Sequence, residues 1–274
     1  MILVLKNMYP TINAAELRKI DNCIKGGLKE VETSLDLGLT NTKVKLNKEG
    51  FYYKGKLIKI GKVREKDKSC YITIKNKLQK MQFFSDGLLY KLNQTDYKPI
   101  MQISGTPMHK KSFSEMLEKE KFHGKVLDSG TGIGYSAIIA SRSAKQVITV
   151  EMDKHVLELA KLNPYSQELF KNKNIKQIIG DITKEIKKFK YQEFDFIIFD
   201  AGTPKSSAEF FSLNNYKEAC RVLKIGGRLY HYLPKHHIMR GRDFGGEVIK
   251  RMKLAGFKDI SRNFEGSYVI MEKL

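Results

Sequence analysis

After residue 120 the chain alternates short apolar runs with helix-like runs, and this alternation leaves few folds open. KVLDS, QVITVEMD, IKQIIGD, FDFIIFDAG and GGRLYHYLP read as five strands. YSAIIASRSA, KHVLELAKLN and NNYKEACRVLK, between them, read as helices. Phe196, Ile197, Ile198 and Phe199 are apolar on both faces, the pattern of a strand covered on each side. Strand and helix in turn at this spacing predict an α/β fold built on a doubly wound, mostly parallel sheet. Such sheets hold their ligands at the carboxyl ends of the strands, so the loops at those ends are the place to look for function.

The first hundred residues have a different rhythm. Residues 11–32 read as a short amphipathic helix, with Leu17, Ile20, Ile24 and Leu28 at three- and four-residue steps. From Val44 to Leu92, KVKL, FYYKGKLIKI, SCYITI and the run before SDGLLYKL read as short strands. Glu49-Gly50, Lys54-Gly55 and Asp86-Gly87 supply the turns between them. Pro99, Gly105 and Pro107 mark a join. The expected organisation is a basic, mainly β N-terminal domain over 1–98, a join over 99–119 and the α/β domain over 120–274.

Charge narrows the partners. Fifty Lys and Arg face thirty Asp and Glu among 274 residues, a net +20 that points to a polyanion, nucleic acid before others. Residues 41–100 carry fifteen Lys or Arg against five acids, interleaved with Tyr and Phe. That composition suits an RNA-binding sheet and equally a sheet whose outer face is merely solvated by lysine. Cys23, Cys70 and Cys220 lie far apart with no CxxC pattern, which argues against a disulfide framework or zinc site and fits a reducing compartment. The opening MILVL is short for a secretory signal, and no apolar run approaches about 20 residues. A cytoplasmic protein with no membrane span and no metal is expected, its oligomeric state open.

The run VLDSGTGIGYS, residues 126–136, leaves a strand and enters a helix. Gly130, Gly132 and Gly134, with Thr131 among them, allow a sharp turn and let a ligand approach bare backbone. The spacing is G-x-G-x-G after an acid, not the G-x-G-x-x-G that seats a pyrophosphate at a helix N-terminus. S-adenosylmethionine (SAM) has no phosphate and carries an ammonium and a sulfonium, which suits Asp128. The next strand ends at Glu151, beside Met152, where two carboxylate oxygens can bind both ribose hydroxyls. The third ends at Asp181, beside Ile182, where a carboxylate can accept from the adenine amine. The fourth ends in Asp200. Helix capping explains each acid singly but explains four successive strand ends poorly.

With these motifs the chain resembles the archaeal class I (Rossmann-fold) SAM-dependent methyltransferases. The resemblance runs from about SLDLGL at residue 34 onward. It shows in ISGTPMHKK, VLDSGTGIGYSAI, VITVEMDKHVLELAKLNPYS, NYKEACRVLKIGGRLYHYLP and RGRDFGGEVIKRMKLAGF. It implies a Rossmann-like sheet, SAM as cofactor, and methylation of a base in ribosomal RNA, the cytidine N4 amine foremost. Family members read DPPRFS after the fourth strand, and this chain reads DAGTPKS. The resemblance implies that the acid and the next carbonyl, here Asp200 and Ala201, accept hydrogen bonds from the target amine and orient it. The stacking ring of the family loop is absent, which leaves Tyr230 or Tyr232 to supply it.

Methyl transfer is an in-line displacement, so such an enzyme mainly aligns donor and acceptor and excludes water. His231 is a candidate catalytic group within reach of the acceptor pocket, or a buried structural histidine. His109 could sit over the cofactor. Lys235, Arg240 and Arg242 could hold RNA phosphates, or lie in a solvated loop. Cys220 falls inside a helix, a poor place for a nucleophile and a good one for a core residue. Two other readings remain: a polyamine aminopropyltransferase using decarboxylated SAM, and a non-catalytic SAM- and RNA-binding factor.

Overall fold

The computed structural model describes residues 9–108, 111–201, 207–233, 238–239 and 242–274, with the backbone alone at 238–239 and 242. They form two compact units: 9–108 together with 155–167, and 111–154 together with 168–274.

The second unit is organised around seven strands. They are β1 Lys125–Ser129, β2 Gln146–Glu151, β3 Ile175–Ile179, β4 Phe194–Phe199, β5 Leu223–Tyr232, β6 Phe257–Asn263 and β7 Tyr268–Lys273. Their order across the sheet is β3-β2-β1-β4-β5-β7-β6. The five strands expected from the sequence are there and run parallel, so the chain reverses its direction of travel across the sheet between β1 and β4. β6 and β7 were not anticipated. They pair antiparallel with each other, and β7 pairs antiparallel with β5, which makes the sheet mixed.

Register places the acids together. Ser129 pairs with Val150 on one side and Phe199 on the other, and Glu151 pairs with Ile179. Asp128, Glu151, Asp181 and Asp200 therefore share the carboxyl edge of the sheet. Helices α1 Tyr135–Ser141, α2 Ile182–Glu185, α3 Leu213–Val222 and α4 Phe244–Leu254 belong to this unit. Val222, Val248 and Met252 join Ile197, Phe199 and Leu229 in one buried cluster. Because β4 is apolar at every inward position, this core fixes the height of its tip.

The first unit holds a seven-stranded and a four-stranded sheet. Its helix is shorter than expected, Ala14–Lys25, with Asn13 accepting from the Glu16 N–H at 2.9 Å as the N-cap. Gly26 and Gly27 end it, Leu28 is left exposed, and Glu30–Thr33 is a strand. Leu17 and Ile20 pack on Val44, Leu46, Phe51 and Ile58. The turns at Lys54-Gly55 and Asp86-Gly87 form as expected, and Lys75-Asn76 makes another with both residues at positive φ. Within the segment expected to be a join, Ile100–Ile103 pairs with Leu88–Asn93, and Lys111–Glu118 is a helix. Of the basic aromatic stretch, Tyr52 and Phe84 are solvent-exposed, Phe84 at 72%.

Candidate active site

The glycine loop is tied to the next strand by backbone. The N–H groups of Gly130 and Thr131 donate to the Val150 carbonyl at 2.9 and 3.3 Å. Gly130 has φ +72°, and a Cβ there would overlap the Asp200 carbonyl. Glycine at this position therefore lets the backbone at the tip of β4 rest against the loop. Gly134 has φ +88° as the N-cap of α1, and a Cβ would lie 2.7 Å from Leu169 Cδ2. Only a residue without a side chain meets both demands at either place.

Asp128 is completely buried. Its Oδ2 accepts from the Thr149 hydroxyl at 2.6 Å, and the Ser136 hydroxyl also donates to the carboxylate. Oδ1 has no partner among the described residues. Burial pushes the carboxyl up to about 7, against the pull of those hydroxyls. Thr149 in turn meets Thr131 Oγ1 at 2.6 Å. Thr149 and Ser136 were missed in the sequence, although the β1–β2 register sets Thr149 directly opposite Asp128.

Glu151 is held at both oxygens: Oε2 accepts from the Gly132 N–H and Oε1 from the Asp153 N–H, each at 2.9 Å. Burial raises its pKa. The Met152 N–H is a further donor to the carboxylate, which still leaves acceptor capacity for a hydroxyl. Asp181 caps α2, its Oδ1 accepting from the Thr183 N–H and hydroxyl at 2.9 and 2.8 Å. The cap uses Oδ1 and no bond to Oδ2 is seen among the described residues, so capping and ligand binding are compatible at this residue. Ile182 is buried, while Met152 and Ile179, at the tips of β2 and β3, are exposed apolar surface of the kind a purine ring covers.

On the other side of β1, Asp200 is half-buried and its N–H donates to the Ser129 carbonyl at 3.3 Å. Ala201 is half-buried against the core. Tyr232 is half-buried and edge-on to Phe113 at 5.9 Å, and burial together with the Asp200 charge pushes its phenol up to about 12. Of the two tyrosines, Tyr232 is therefore the one near Asp200.

Two expectations are corrected by strand alternation in β5. Tyr230 is fully buried between Phe122 and Phe196, at ring distances of 5.7 and 6.3 Å, and offers no surface to a substrate. His231 points to the opposite face, completely buried, with Nε2 2.9 Å from the Tyr216 hydroxyl. Phe199, Phe210 and Phe211 surround its ring at 5.5 to 5.6 Å, and burial lowers its pKa to about 3. A neutral ring packed in this way is a core residue and not a proton carrier. Cys220 is half-buried against the core with its thiol pKa raised by burial.

Lys235, Arg240, His109 and the rest of the DAGTPKS loop after Ala201, up to Ser206, lie outside the described residues. Arg242 is placed by backbone alone, in a two-residue strand opposite Met239. Among the described residues no group of three or more His, Cys, Asp or Glu is arranged to hold a metal ion. No described helix is long and apolar enough to cross a membrane.

The chain has relatives among known proteins. It is 37% identical over 270 residues to the uncharacterized protein MJ1233 of Methanocaldococcus jannaschii, covering 89% of this chain and 90% of that one. The chain belongs to that protein's family. A family model described as a methyltransferase domain matches residues 120–254, which make up a class I SAM-dependent methyltransferase domain. Over 104 residues the chain is 36% identical to a protein-L-isoaspartate O-methyltransferase of Petrotoga mobilis, spanning 38% of this chain and 43% of that enzyme. Among solved structures, spermidine synthase from Thermotoga maritima has a TM-score of 0.53 at 19% identity, covering 69% of this chain and 70% of that one. A probable spermidine synthase from Corynebacterium glutamicum has 0.52 at 16%, covering 70% and 79%. These two show a shared α/β fold.

The cofactor is SAM. The residues present fit it: a buried carboxylate oxygen without a partner suits an ammonium, and the glycine loop leaves bare backbone beside it. Asp128 would hold the ammonium end, Glu151 the ribose and Asp181 the adenine. When bound, SAM supplies an electrophilic methyl on a sulfonium. The protein's own part is to fix these acids and to set Asp200 against the same loop.

Proposed function

We propose that this methyltransferase acts on RNA, transferring the methyl group to a base amino group of ribosomal RNA, with cytidine N4 as the leading target. One observation supports the reading: the Asp200 peptide, at the tip of β4, rests against Gly130, so the chain leaves β4 beside the donor loop. The Asp200 carboxylate and Ala201 carbonyl accept the two N–H bonds of an amine and turn its lone pair toward the methyl group. In this reading Asp200 also takes the proton the nitrogen loses. Tyr232 is the ring available to stack on the base, in place of the aromatic missing from the loop. The net charge of +20 favours a polyanionic acceptor.

The experiment is mass spectrometry of ribosomal RNA nucleosides from cells with and without the gene. It is paired with transfer of labelled methyl from SAM to RNA of the deficient strain by purified protein. A methylated cytidine present only with the gene, and restored in vitro, is the expected result. A second reading is favoured by the spermidine synthase fold: aminopropyl transfer from decarboxylated SAM. A protein of net charge +20 repels a polycationic acceptor, which sets this reading second. Turnover with decarboxylated SAM and a polyamine, and none with SAM and RNA, would establish it. Tight SAM binding with no acceptor methylated would instead make the protein a non-catalytic binding factor.

A further inference from the structure

An open cleft of about 450 Å³ lies between the turn Glu209–Phe211, the start of α3 and the outer side of α4. Small-ligand sites fall in this size range. Its walls combine two chemistries. Phe211, Leu213 and Phe244 supply apolar surface, and Arg251 brings a cation. Phe211 stacks on His231 with ring centroids 5.6 Å apart and meets Phe244 edge-on at 5.2 Å, so the floor is a fixed aromatic corner. The Arg251 side chain is 36% exposed. Its Nη1 donates to the Phe211 carbonyl at 3.2 Å and its Nη2 lies 3.4 Å from Glu247 Oε2. These bonds hold the guanidinium at the cleft, and no acceptor for its Nε is seen among the described residues.

The cleft is joined to the acceptor end of the sheet by direct packing. The ring of Phe210 touches Phe199 at 4.9 Å and Phe211 at 5.0 Å, and Phe199 immediately precedes Asp200. Ala208, Phe211, Ser212 and Leu213, which follow the acceptor acid in the sequence, form one wall of the cleft.

We propose that this cleft seats a nucleotide flanking the acceptor in single-stranded RNA, its ring against Phe244 and Leu213 and its phosphate at Arg251; this rests on the RNA reading above. An apolar small molecule has no use for the guanidinium, and a free phosphate has no use for the aromatic corner. A nucleotide uses both, since single strands are held by stacking and by phosphate contacts together. The cleft thereby contributes binding that an isolated nucleoside cannot obtain.

The test is equilibrium binding of a short single-stranded oligoribonucleotide to the SAM-loaded protein across a range of salt. Arg251→Ala is expected to weaken binding about tenfold and to reduce the slope of log K against log salt by about 0.7, one phosphate contact on a single strand. SAM affinity should not change. Arg251→Lys should restore most of the salt slope. Leu213→Glu leaves the Arg251 bond to Phe211 in place and puts an acid in the first turn of α3, where it favours the helix. It should weaken RNA binding by a similar factor and keeps the test open if Arg251→Ala fails to fold. Wild-type binding with unchanged slopes in Arg251→Ala and Leu213→Glu would overturn the cleft and leave the RNA reading standing. No binding by the wild-type protein would overturn both.

Discussion

The two halves of the main sheet are built from different materials. Around the tips of β1, β2 and β3, polar groups hold one another: Asp128 with Thr149, Glu151 with the Gly132 N–H, Asp181 with the first turn of α2. Around the tips of β4 and β5 the holding is done by rings, with Phe199, Phe210, Phe211 and His231 on one face and Phe122, Phe196 and Tyr230 on the other. A cofactor with fixed charges and hydroxyls calls for fixed acceptors and bare backbone. An acceptor that must be aligned with the methyl group calls for a wall whose shape is set by packing. Gly130 is the point where the halves meet, since its missing side chain leaves room for the Asp200 peptide.

That division can be broken most severely at the meeting point. Gly130→Ala forces a side chain into positive φ and against the Asp200 carbonyl, at a cost of about 1–3 kcal/mol of strain. SAM affinity and turnover should both fall, turnover by about 100-fold or more, with a lower Tm. Calorimetry and a methyl-transfer assay on the same sample check this, and retention of either function would separate the halves.

Asp128→Asn should act on the donor half alone. The wild-type carboxyl, raised to about 7, loses its charge below that pH, so SAM affinity should fall as pH drops through it. Loss of the charge should weaken SAM about tenfold and flatten this profile, read by titration across pH. Without SAM the stability contribution has the opposite sense. The folded protein binds the extra proton between the ordinary carboxylate pKa and about 7, so the contribution grows as pH falls through that window.

His231→Phe should be the mildest for function. It leaves the Tyr216 hydroxyl without its partner, a cost of about 1–3 kcal/mol visible in thermal melts. Turnover and its pH profile should stay as in the wild type. Because the folded pKa of His231 is depressed to about 3, the wild-type protein loses stability as pH falls from the ordinary histidine range toward 3. The variant should lose less over that span. A changed pH–rate profile would return the histidine to the chemistry.

The donor half was legible in the sequence because its signals are local. An acid at the end of an apolar run followed by G-x-G-x-G is read from consecutive residues, and strand register then completes the set. The acceptor half was legible only as far as Asp200. Tyr230, His231 and Tyr232 are consecutive, and their fates depend on which face of β5 each meets, which alternation alone leaves undetermined by one residue. β6 and β7 escaped for a related reason: FKDISRN is largely exposed and carries little apolar alternation, so its place comes from pairing with β7 and not from its own pattern. In the first unit, Lys75-Asn76 turns without the glycine that marks the Lys54-Gly55 and Asp86-Gly87 hairpins, and Gly26-Gly27 ends a helix whose apolar spacing runs on to Leu28. There, backbone freedom decided the boundary against periodicity.

The central claim is that β1 to β3 hold the donor and β4 presents the acceptor. Asp200→Ala tests it in one preparation, with SAM dissociation by calorimetry and methyl transfer to RNA from the deficient strain measured side by side. The account predicts a SAM affinity within about twofold of wild type and turnover lower by about 100-fold or more. Wild-type turnover, or a loss of SAM binding in step with the loss of turnover, would contradict it.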